Sequence, residues 1–240
     1  MSAPPLGHPR LHLGLTDSTN ERARDLAVSG APHGTVVTAN KQSAGRGRQG
    51  RRWLASPGDA VLCSVVVRQP PRLLPLASGV AVAQAAEEAL SRHTGLDTTS
   101  TPRCLLKWPN DVLLDGRKIA GILVEGRPQE DWAVVGIGLN VAETEFPPEL
   151  QGLAGTLGLG AEAVEPTLAL VLEFLDRWLA ASAEEVLEAV RARDALRGHT
   201  VKWGQGQGEA AGLDGDGRLV VLTSDGRVTL EAGEVHLARE

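Results

Sequence analysis

The chain of 240 residues has few cysteines and no long apolar stretch. Cys63 and Cys104 both lie in apolar segments, which predicts buried, reduced thiols rather than a disulfide framework. No uninterrupted apolar run reaches membrane-spanning length, and the N-terminal residues lack the charged and apolar regions of a signal peptide. We therefore expect a cytoplasmic protein that is not attached to a membrane.

An excess of basic residues is also absent, since the formal net charge is −6. This balance argues against a dedicated nucleic-acid-binding protein. A hydrophobic content of 42% and a charged content of 22% are typical of a soluble globular protein. At this length the chain can form one sizeable core plus a small appendage.

Acidic residues are missing between Asp25 and Asp59, and this gap contains the segment most suggestive of function. Residues 41–53, KQSAGRGRQGRRW, contain five cations and three glycines. Glycines let the backbone approach a ligand closely, and arginines supply forked donors that suit carboxylate or phosphate. The segment therefore predicts an anion-binding site, with a flexible basic loop that contacts nucleic-acid phosphates as the alternative.

Two familiar phosphate-binding motifs do not explain this segment. Gly45, Gly47 and Gly50 match G-x-G-x-x-G, but a turn follows at 56–58 where a dinucleotide-binding fold needs a helix. Gly45 to Gly50 also has the glycine spacing of the phosphate-binding P-loop, but Arg51 and Arg52 stand where that loop requires Lys and Ser/Thr. Both motifs are rejected.

Hydrophobic periodicity predicts an α+β protein. Apolar and β-branched runs predict strands at 10–15, 35–39, 61–68, 118–124 and 132–137. Ser18 and Glu21 have the spacing of a capping box, which would open a helix through about Val28. Three further helices are predicted, from Leu73 to about 94, from Pro166, and from a second capping box at 182–185.

The residues after Gly198 have a different character. Five short strands at 201–203, 210–213, 219–222, 228–230 and 235–237 are separated by glycine turns, which predicts a small barrel. The segment Asp214-Gly215-Asp216-Gly217 has the alternating aspartates of a calcium-binding EF-hand loop, but Arg218 occupies the next ligand position of that loop, so we predict a turn. We expect two domains, residues 1–194 and 195–240.

Four segments in this order resemble the biotin protein ligase family. They are residues 18–20 (STN), 42–53, 107–118 with 120–123 (AGIL), and 136–140 (GIGLN). The resemblance covers residues 10 to 240. It implies a mixed β-sheet flanked by helices, of the class II synthetase type, followed by an SH3-like β-barrel. It also implies that biotin and ATP form biotinyl-5′-AMP, and that biotin then passes to a lysine of a biotin carboxyl carrier domain.

The same resemblance assigns the site residues. The catalytic residues are Lys118, Arg48 and Asp111. Biotin would be bound by Ser18, Thr19, Asn20, Gln42, Gly45, Arg46, Gly47, Arg48, Lys118 and Gly121. ATP and the adenylate would be bound by Arg46, Arg48, Arg51, Trp53, Asn110, Lys118 and Asn140, with Trp53 stacked on adenine.

Chemistry supports these assignments, although each residue has a simpler explanation. Two anions must be held together, and cationic donors stabilise the charge that accumulates between them. Hydroxyl and amide groups suit the neutral ureido ring of biotin. Lys118 could instead be an ordinary exposed lysine, Ser18 only a helix cap, Trp53 only a core residue, and Asp111 either a base for the acceptor lysine or a turn-fixing residue.

The resemblance also sets expectations for partners. Biotin and ATP are the small-molecule substrates, with Mg²⁺ implied by ATP chemistry and its protein ligands unknown. Only about ten residues precede the first predicted strand, too few for the DNA-binding domain of some members, so we expect a monofunctional ligase that binds no DNA. A homodimer is left open. Gln49 stands where other members can have arginine, and residues 43–52 are expected to gain order on adenylate binding.

Three alternatives compete with this interpretation. A lipoate or octanoate ligase shares the architecture and the adenylation chemistry. A nucleic-acid-binding protein would use the arginine segment as a phosphate clamp. A non-catalytic carrier of biotin or nucleotide would not need a lysine at the reacting centre.

Overall fold

The computed structural model describes residues 6–97, 100–126, 130–142, 145–204, 206–231, 233 and 235–237. These residues form a seven-stranded sheet and a separate five-stranded sheet. The larger sheet has the order β1-β2-β3-β7-β6-β5-β4. Its strands are β1 Arg10–Thr16, β2 Val36–Gln42, β3 Ala60–Arg68, β4 Leu105–Lys107, β5 Asp111–Leu114, β6 Arg117–Gly126 and β7 Trp132–Asn140. Strands β1 and β2 are parallel and the other neighbours are antiparallel, which confirms the predicted mixed sheet.

Four helices accompany the larger sheet within the described residues: α1 Thr19–Val28, α2 Leu74–Thr94, α3 Val164–Leu179 and α4 Ala183–Arg191. Helix α2 ends at Gly95 in the left-handed conformation, as the sequence predicted. Helix α3 begins two residues before the predicted Pro166. Among the described residues, no helix is both long enough and apolar enough to cross a membrane.

The side chains of β3 alternate between the two faces of the sheet. Val61, Cys63 and Val65 join the main core with α2 and α3, whereas Val66 packs with α1 on the opposite face. Helix α1 covers only part of that face, over β2, β3 and β7. The surface of β6 and β7 beyond α1 is therefore left for a cavity.

The first predicted capping box does not form, although helix α1 begins where the sequence placed it. Ser18 is the N-cap residue, but its side chain accepts no capping hydrogen bond. The carboxylate of Glu21 is instead engaged by Arg46. The second box is confirmed, since the Ser182 side chain and Glu185 cap each other's backbone N–H groups.

The C-terminal strands are β8 Thr200–Trp203, β9 Gly206–Leu213, β10 Leu219–Thr223, β11 Gly226–Leu230 and β12 His236–Leu237. They form an antiparallel sheet of order β11-β10-β9-β8-β12, the predicted SH3-like unit. The β9–β10 connection is the predicted turn. Both the backbone N–H of Arg218, at 2.9 Å, and its side-chain Nε, at 2.8 Å, donate to the Asp214 carboxylate.

This turn docks on the larger domain. Trp108 Nε1 donates to the Gly217 carbonyl at 3.0 Å, and Arg72 donates to the Gly215 carbonyl at 2.9 Å. Gly217 has φ +77°, and a Cβ there would lie 2.8 Å from a methyl group of Leu76. The contact places the small domain directly behind residues 107–111.

Both cysteines are free and buried, as predicted. Burial raises the pKa of each thiol to about 12, because the interior disfavours the charged thiolate. Each thiol is therefore a neutral core group near pH 7.

Candidate active site

A cavity of about 530 Å³ lies on the face of the large sheet opposite α2. Every residue that the sequence assigned to the site lines it except Gly45: Ser18, Thr19, Asn20, Gln42, Arg46, Gly47, Arg48, Arg51, Trp53, Asn110, Asp111, Lys118, Gly121 and Asn140. Residues from four separated segments of the chain therefore meet in one place.

The floor of the cavity is made of glycines on β6 and β7. Gly121 and Gly138 are direct partners in the β6–β7 register, and the Trp53 ring lies against both. A Cβ at Gly138 would come 2.4 Å from Cε2 of that ring. A Cβ at Gly136 would come 1.9 Å from Oδ1 of Asn20. Because these glycines have no side chains, the Trp53 ring and the Asn20 amide can lie directly on the floor.

One end of the cavity is lined by uncharged polar groups. Oε1 of Gln42 accepts hydrogen bonds from the backbone N–H of Thr19 at 2.7 Å and from its hydroxyl at 3.1 Å. Ser64 Oγ lies 2.6 Å from Oδ1 of Asn20 and 2.8 Å from Oγ1 of Thr19. These bonds fix the orientation of the side chains before any ligand is considered.

Residues 45–53, which we call the glycine-arginine loop, have a defined path. Gly47 N–H donates to the Arg51 carbonyl at 2.7 Å, and Trp53 N–H donates to the Gly45 carbonyl at 3.0 Å. Gln49 adopts a left-handed conformation with φ 56°. A Cβ at Gly45 would lie 2.5 Å from the Trp53 carbonyl oxygen, so Gly45 serves loop closure behind the cavity wall.

Arg46 is held by two carboxylates at the base of this loop. Its guanidinium pairs with Glu21 of α1 and, at 3.0 Å, with Glu125 of β6. Asn20 Nδ2 donates to the other oxygen of Glu125 at 2.9 Å. The sequence did not predict this cluster, because its members are separated by up to 105 positions.

A second charged group lies at the other end of the cavity. Lys118 Nζ is 2.6 Å from Oδ1 of Asp111 and 5.7 Å from the centroid of the Trp53 ring. The Lys118 backbone is fixed by hydrogen bonds to Leu153 and Gly155, both of 2.8 Å. The simple exposed lysine considered from the sequence is thus excluded, since this side chain belongs to an ordered cluster.

Arg48 also lines this cavity. Burial lowers its pKa from the ordinary value, while attraction to Asp111 opposes the shift and repulsion from Arg51 adds to it. A guanidinium in this partly buried position stays protonated. Arg48 and Lys118 therefore bring two cations toward Asp111.

Asn110 and Asn140 use their amide donors within the protein. Asn110 Nδ2 donates to the Ile122 carbonyl at 3.0 Å, and Asn140 Nδ2 donates to the Gly155 carbonyl at 2.9 Å. The Oδ1 atom of Asn140 is buried and has no hydrogen-bond partner among the described residues. That oxygen is an unsatisfied acceptor enclosed within the protein.

Several lining residues were missed by sequence reasoning. They come from the segment after β7 and from the end of the small domain: Phe146, Leu150, Leu153, Ala154, Gly233, Val235, His236 and Leu237. The first group has no periodic pattern and pairs with β6 only through the backbone of Lys118. Neither group carried a recognisable signal.

No group of three His, Cys, Asp or Glu side chains clusters as a metal site in the part of the chain that the structure describes.

Comparison with known proteins gives a consistent result. Residues 13–141 match the Biotin/lipoate A/B protein ligase family, and residues 189–237 match the Biotin protein ligase C terminal domain. The Biotin–[acetyl-CoA-carboxylase] ligase of Paracoccus denitrificans is 34% identical, over 93% of this chain and 98% of that protein. The bifunctional ligase/repressor BirA of Bacillus subtilis is 32% identical, over 97% of this chain and 75% of that protein.

Among solved structures, the biotin protein ligase from Aquifex aeolicus in complex with biotin and ATP is similar to this chain. The TM-score is 0.75 at 31% identity, and the match covers 96% of this chain and 99% of that one.

Proposed function

This chain belongs to the biotin/lipoate A/B protein ligase family, and we propose that it is a biotin protein ligase. It activates biotin with ATP to biotinyl-5′-AMP, releases pyrophosphate, and transfers the biotinyl group to a lysine of a carrier domain. The observation that carries the proposal is the polarity of this cavity. At one end amide and hydroxyl groups lie beside Arg46, whose charge is compensated by Glu21 and Glu125, and Lys118 and Arg48 lie at the other end.

Biotin has the matching polarity. Its ureido ring is neutral with both donors and an acceptor, and its valeryl tail ends in a carboxylate. The Thr19–Gln42 pair and its neighbours Ser18 and Asn20 receive the ring, and the tail extends toward Lys118. The Aquifex aeolicus structure named above contains biotin and ATP, which supports the same use of this cavity.

In the first step the biotin carboxylate oxygen attacks the α-phosphorus of ATP, and the bond to the bridging oxygen of pyrophosphate breaks. Negative charge accumulates on the α-phosphate oxygens in the transition state. Lys118 and Arg48 offset this charge, and the contact with Asp111 holds the Lys118 ammonium in place. Gly47, Arg51 and Gly121 complete the walls around the adenylate.

In the second step the neutral amine of an acceptor lysine attacks the biotinyl carbonyl, and AMP leaves with the anhydride oxygen. The proton that the amine nitrogen loses as the amide forms passes to the departing phosphate of AMP or to water. We assign Asp111 the orienting role for Lys118, since their 2.6 Å contact engages its carboxylate.

Trp53 and Asn140 form the adenine side of the cavity. A base stacked on the exposed face of the indole gains about 1–3 kcal/mol by analogy with base–aromatic stacking. Asn140 holds its part of the wall through the 2.9 Å bond from its Nδ2 to the Gly155 carbonyl. Asn110 supports this wall through its bond to β6.

The acceptor is the biotin carboxyl carrier domain of a biotin-dependent carboxylase, and the catalytic and barrel domains span residues 1–194 and 195–240. For a homodimer, strand β1 offers one edge of the large sheet, with Leu11 40% and Leu15 62% exposed. Sedimentation at increasing protein concentration, with and without biotin and ATP, tests this arrangement.

The enzymatic proposal is tested by incubating the protein with α-labelled ATP and biotin, lipoate or octanoate in parallel. A labelled adenylate that forms only with biotin, and that decays when a carrier domain is added, supports the proposal. An adenylate formed with lipoate or octanoate identifies the alternative ligase. No adenylate with any of the three acids refutes both.

A further inference from the structure

We propose that Arg46 is a positioning residue rather than a ligand for the anionic substrate: Glu21 and Glu125 clamp its guanidinium and thereby fasten the glycine-arginine loop over the cavity. This inference deepens the proposed function and rests on it where adenylate retention is concerned. It departs from the family resemblance, which placed Arg46 among the anion-binding residues.

Charge is the first argument. The guanidinium contacts two carboxylates, so the cluster of one arginine and two glutamates has a formal charge of −1. An incoming phosphate or carboxylate would meet that net negative charge rather than a free cation. Arg48 forms no ion pair with another described residue, and it is better suited to hold the anion.

Position is the second argument. Glu125 is fixed by Asn20, whose side chain lies on the glycine floor at the neutral end of the cavity. The clamp therefore lies at the ureido end, away from the Lys118–Asp111 pair. Arg46 lines the cavity where the biotin ring, which carries no charge, is expected.

Connectivity is the third argument. Arg46 and Arg52 form an isolated antiparallel bridge, and Arg52 donates to the Ser43 carbonyl at 2.7 Å. Anchoring the side chain of Arg46 to α1 and β6 thus anchors both arms of the loop at once. Because all three charged side chains are partly exposed, each pair contributes modestly, by about 2- to 5-fold in the loop-opening equilibrium.

The first experiment needs no ligand and does not depend on the proposed enzymatic activity. Trypsin cleavage after Arg48, Arg51 and Arg52 is compared for the wild type, Glu21→Gln, Glu125→Gln and the double variant, and cleavage after Arg46 is left out because the substitutions free that side chain directly. The clamp predicts faster cleavage in each single variant and up to about 20-fold faster cleavage in the double variant. Glu165→Gln is the matched control, because it removes the carboxylate of the Arg10–Glu165 pair outside the cavity. Equal cleavage of the double variant and the wild type would overturn the proposal.

The second experiment measures dissociation of biotinyl-5′-AMP, where the two roles of Arg46 predict opposite signs. A clamp predicts faster release in the Glu21→Gln/Glu125→Gln variant, because the loop opens more often. If Arg46 were instead an anion-binding residue restrained by the two glutamates, the same variant would release biotinyl-5′-AMP more slowly, because the Arg46 guanidinium would be freed to bind the phosphate. Slower or unchanged release contradicts the clamp.

A thermodynamic cycle completes the test. In the double-glutamine background Arg46→Gln is expected to leave cleavage after Arg48, Arg51 and Arg52 unchanged, since its partners are already gone. A further acceleration of similar size would show that Arg46 acts through other contacts and would refute the clamp. If no adenylate forms at all, the cleavage and cycle results still decide the clamp while the proposed function fails.

Discussion

Replacement of Gly138 by alanine tests whether the position of the Trp53 ring controls nucleotide binding. The added Cβ would lie 2.4 Å from Cε2 and 2.7 Å from Nε1 of the ring. Carbon atoms pack at about 3.5–4.0 Å, so the ring must move by about 1 Å or more. If stacking on adenine is lost, about 1–3 kcal/mol is lost, which raises the KM for ATP by about 5- to 150-fold.

The assay measures the rate of adenylate formation, first at varied ATP and fixed biotin concentration and then at varied biotin and fixed ATP concentration. The KM for biotin is expected to change much less, since the Thr19–Gln42 pair does not contact the ring. Gly121→Ala gives an intermediate case, because its Cβ would be 3.1 Å from the ring and 3.2 Å from Lys118 Nζ. Gly14→Ala is the matched control, since nothing lies within 4 Å of its Cβ in the same sheet.

The decisive result comes from combining the change with Trp53→Ala. If the methyl group acts through the ring, Gly138→Ala has no further effect once the ring is removed. Effects that multiply in the combined variant would refute the reasoning, as would a Gly138→Ala protein with unchanged melting temperature and unchanged KM for ATP.

Three further predictions follow from other contacts. Lys118→Ala is expected to reduce the rate of adenylate formation by about 10²–10³-fold, the range for loss of one transition-state donor. Lys202→Ala, on the exposed face of β8, is the control and should leave that rate unchanged. Near-normal turnover of Lys118→Ala would remove the Lys118 ammonium from the mechanism. Gly217→Ala is expected to lower the free energy of unfolding by about 1–3 kcal/mol more than Gly226→Ala does. Both glycines have positive φ, but only a Cβ at position 217 would meet leucine side chains. Equal losses of stability in denaturant titrations of the two variants would contradict the docking contact. The two buried thiols, whose pKa is about 12 in the folded protein against 9.0 when unfolded, are expected to resist alkylation at pH 8 until denaturant is added. As the pH rises the unfolded chain loses these protons first, so their contribution to the free energy of unfolding is complete below pH 9 and is lost between pH 9 and 12. Rapid labelling of the native protein would contradict their burial.

Local patterns predicted most of the architecture. The periodic apolar residues of α2 gave both its ends, because that helix is buried along most of its length and its pattern reflects real contacts. Short motifs on β6 and β7 predicted neighbouring site residues, and the register that pairs Gly121 with Gly138 explains why they meet. These features depend on residues close in sequence or on adjacent strands.

Features that depend on distant partners could not be predicted in this way. The Ser18–Glu21 box fails because Arg46, 25 positions away, engages the carboxylate that the box requires. Ser64 lies within the otherwise apolar run of β3, so the sequence gives no sign of its role. In the folded protein it faces α1 and orients Thr19 and Asn20 through hydrogen bonds. The wall at 146–154 is fixed by backbone pairing, which leaves no signature in side-chain type.

The glycine floor restricts how the recognition properties of this fold can be altered by mutation. Glycine is the smallest residue, so no single substitution at positions 121, 136 or 138 can deepen the recess, and at 136 and 138 any side chain displaces Asn20 or the Trp53 ring. Acceptance of a bulkier ligand analogue must therefore come from changes in the loop or in the wall opposite. One additional methyl group on the floor, in contrast, is enough to push these side chains into the space of the ligand, which makes narrowing selectivity far easier to engineer than broadening it.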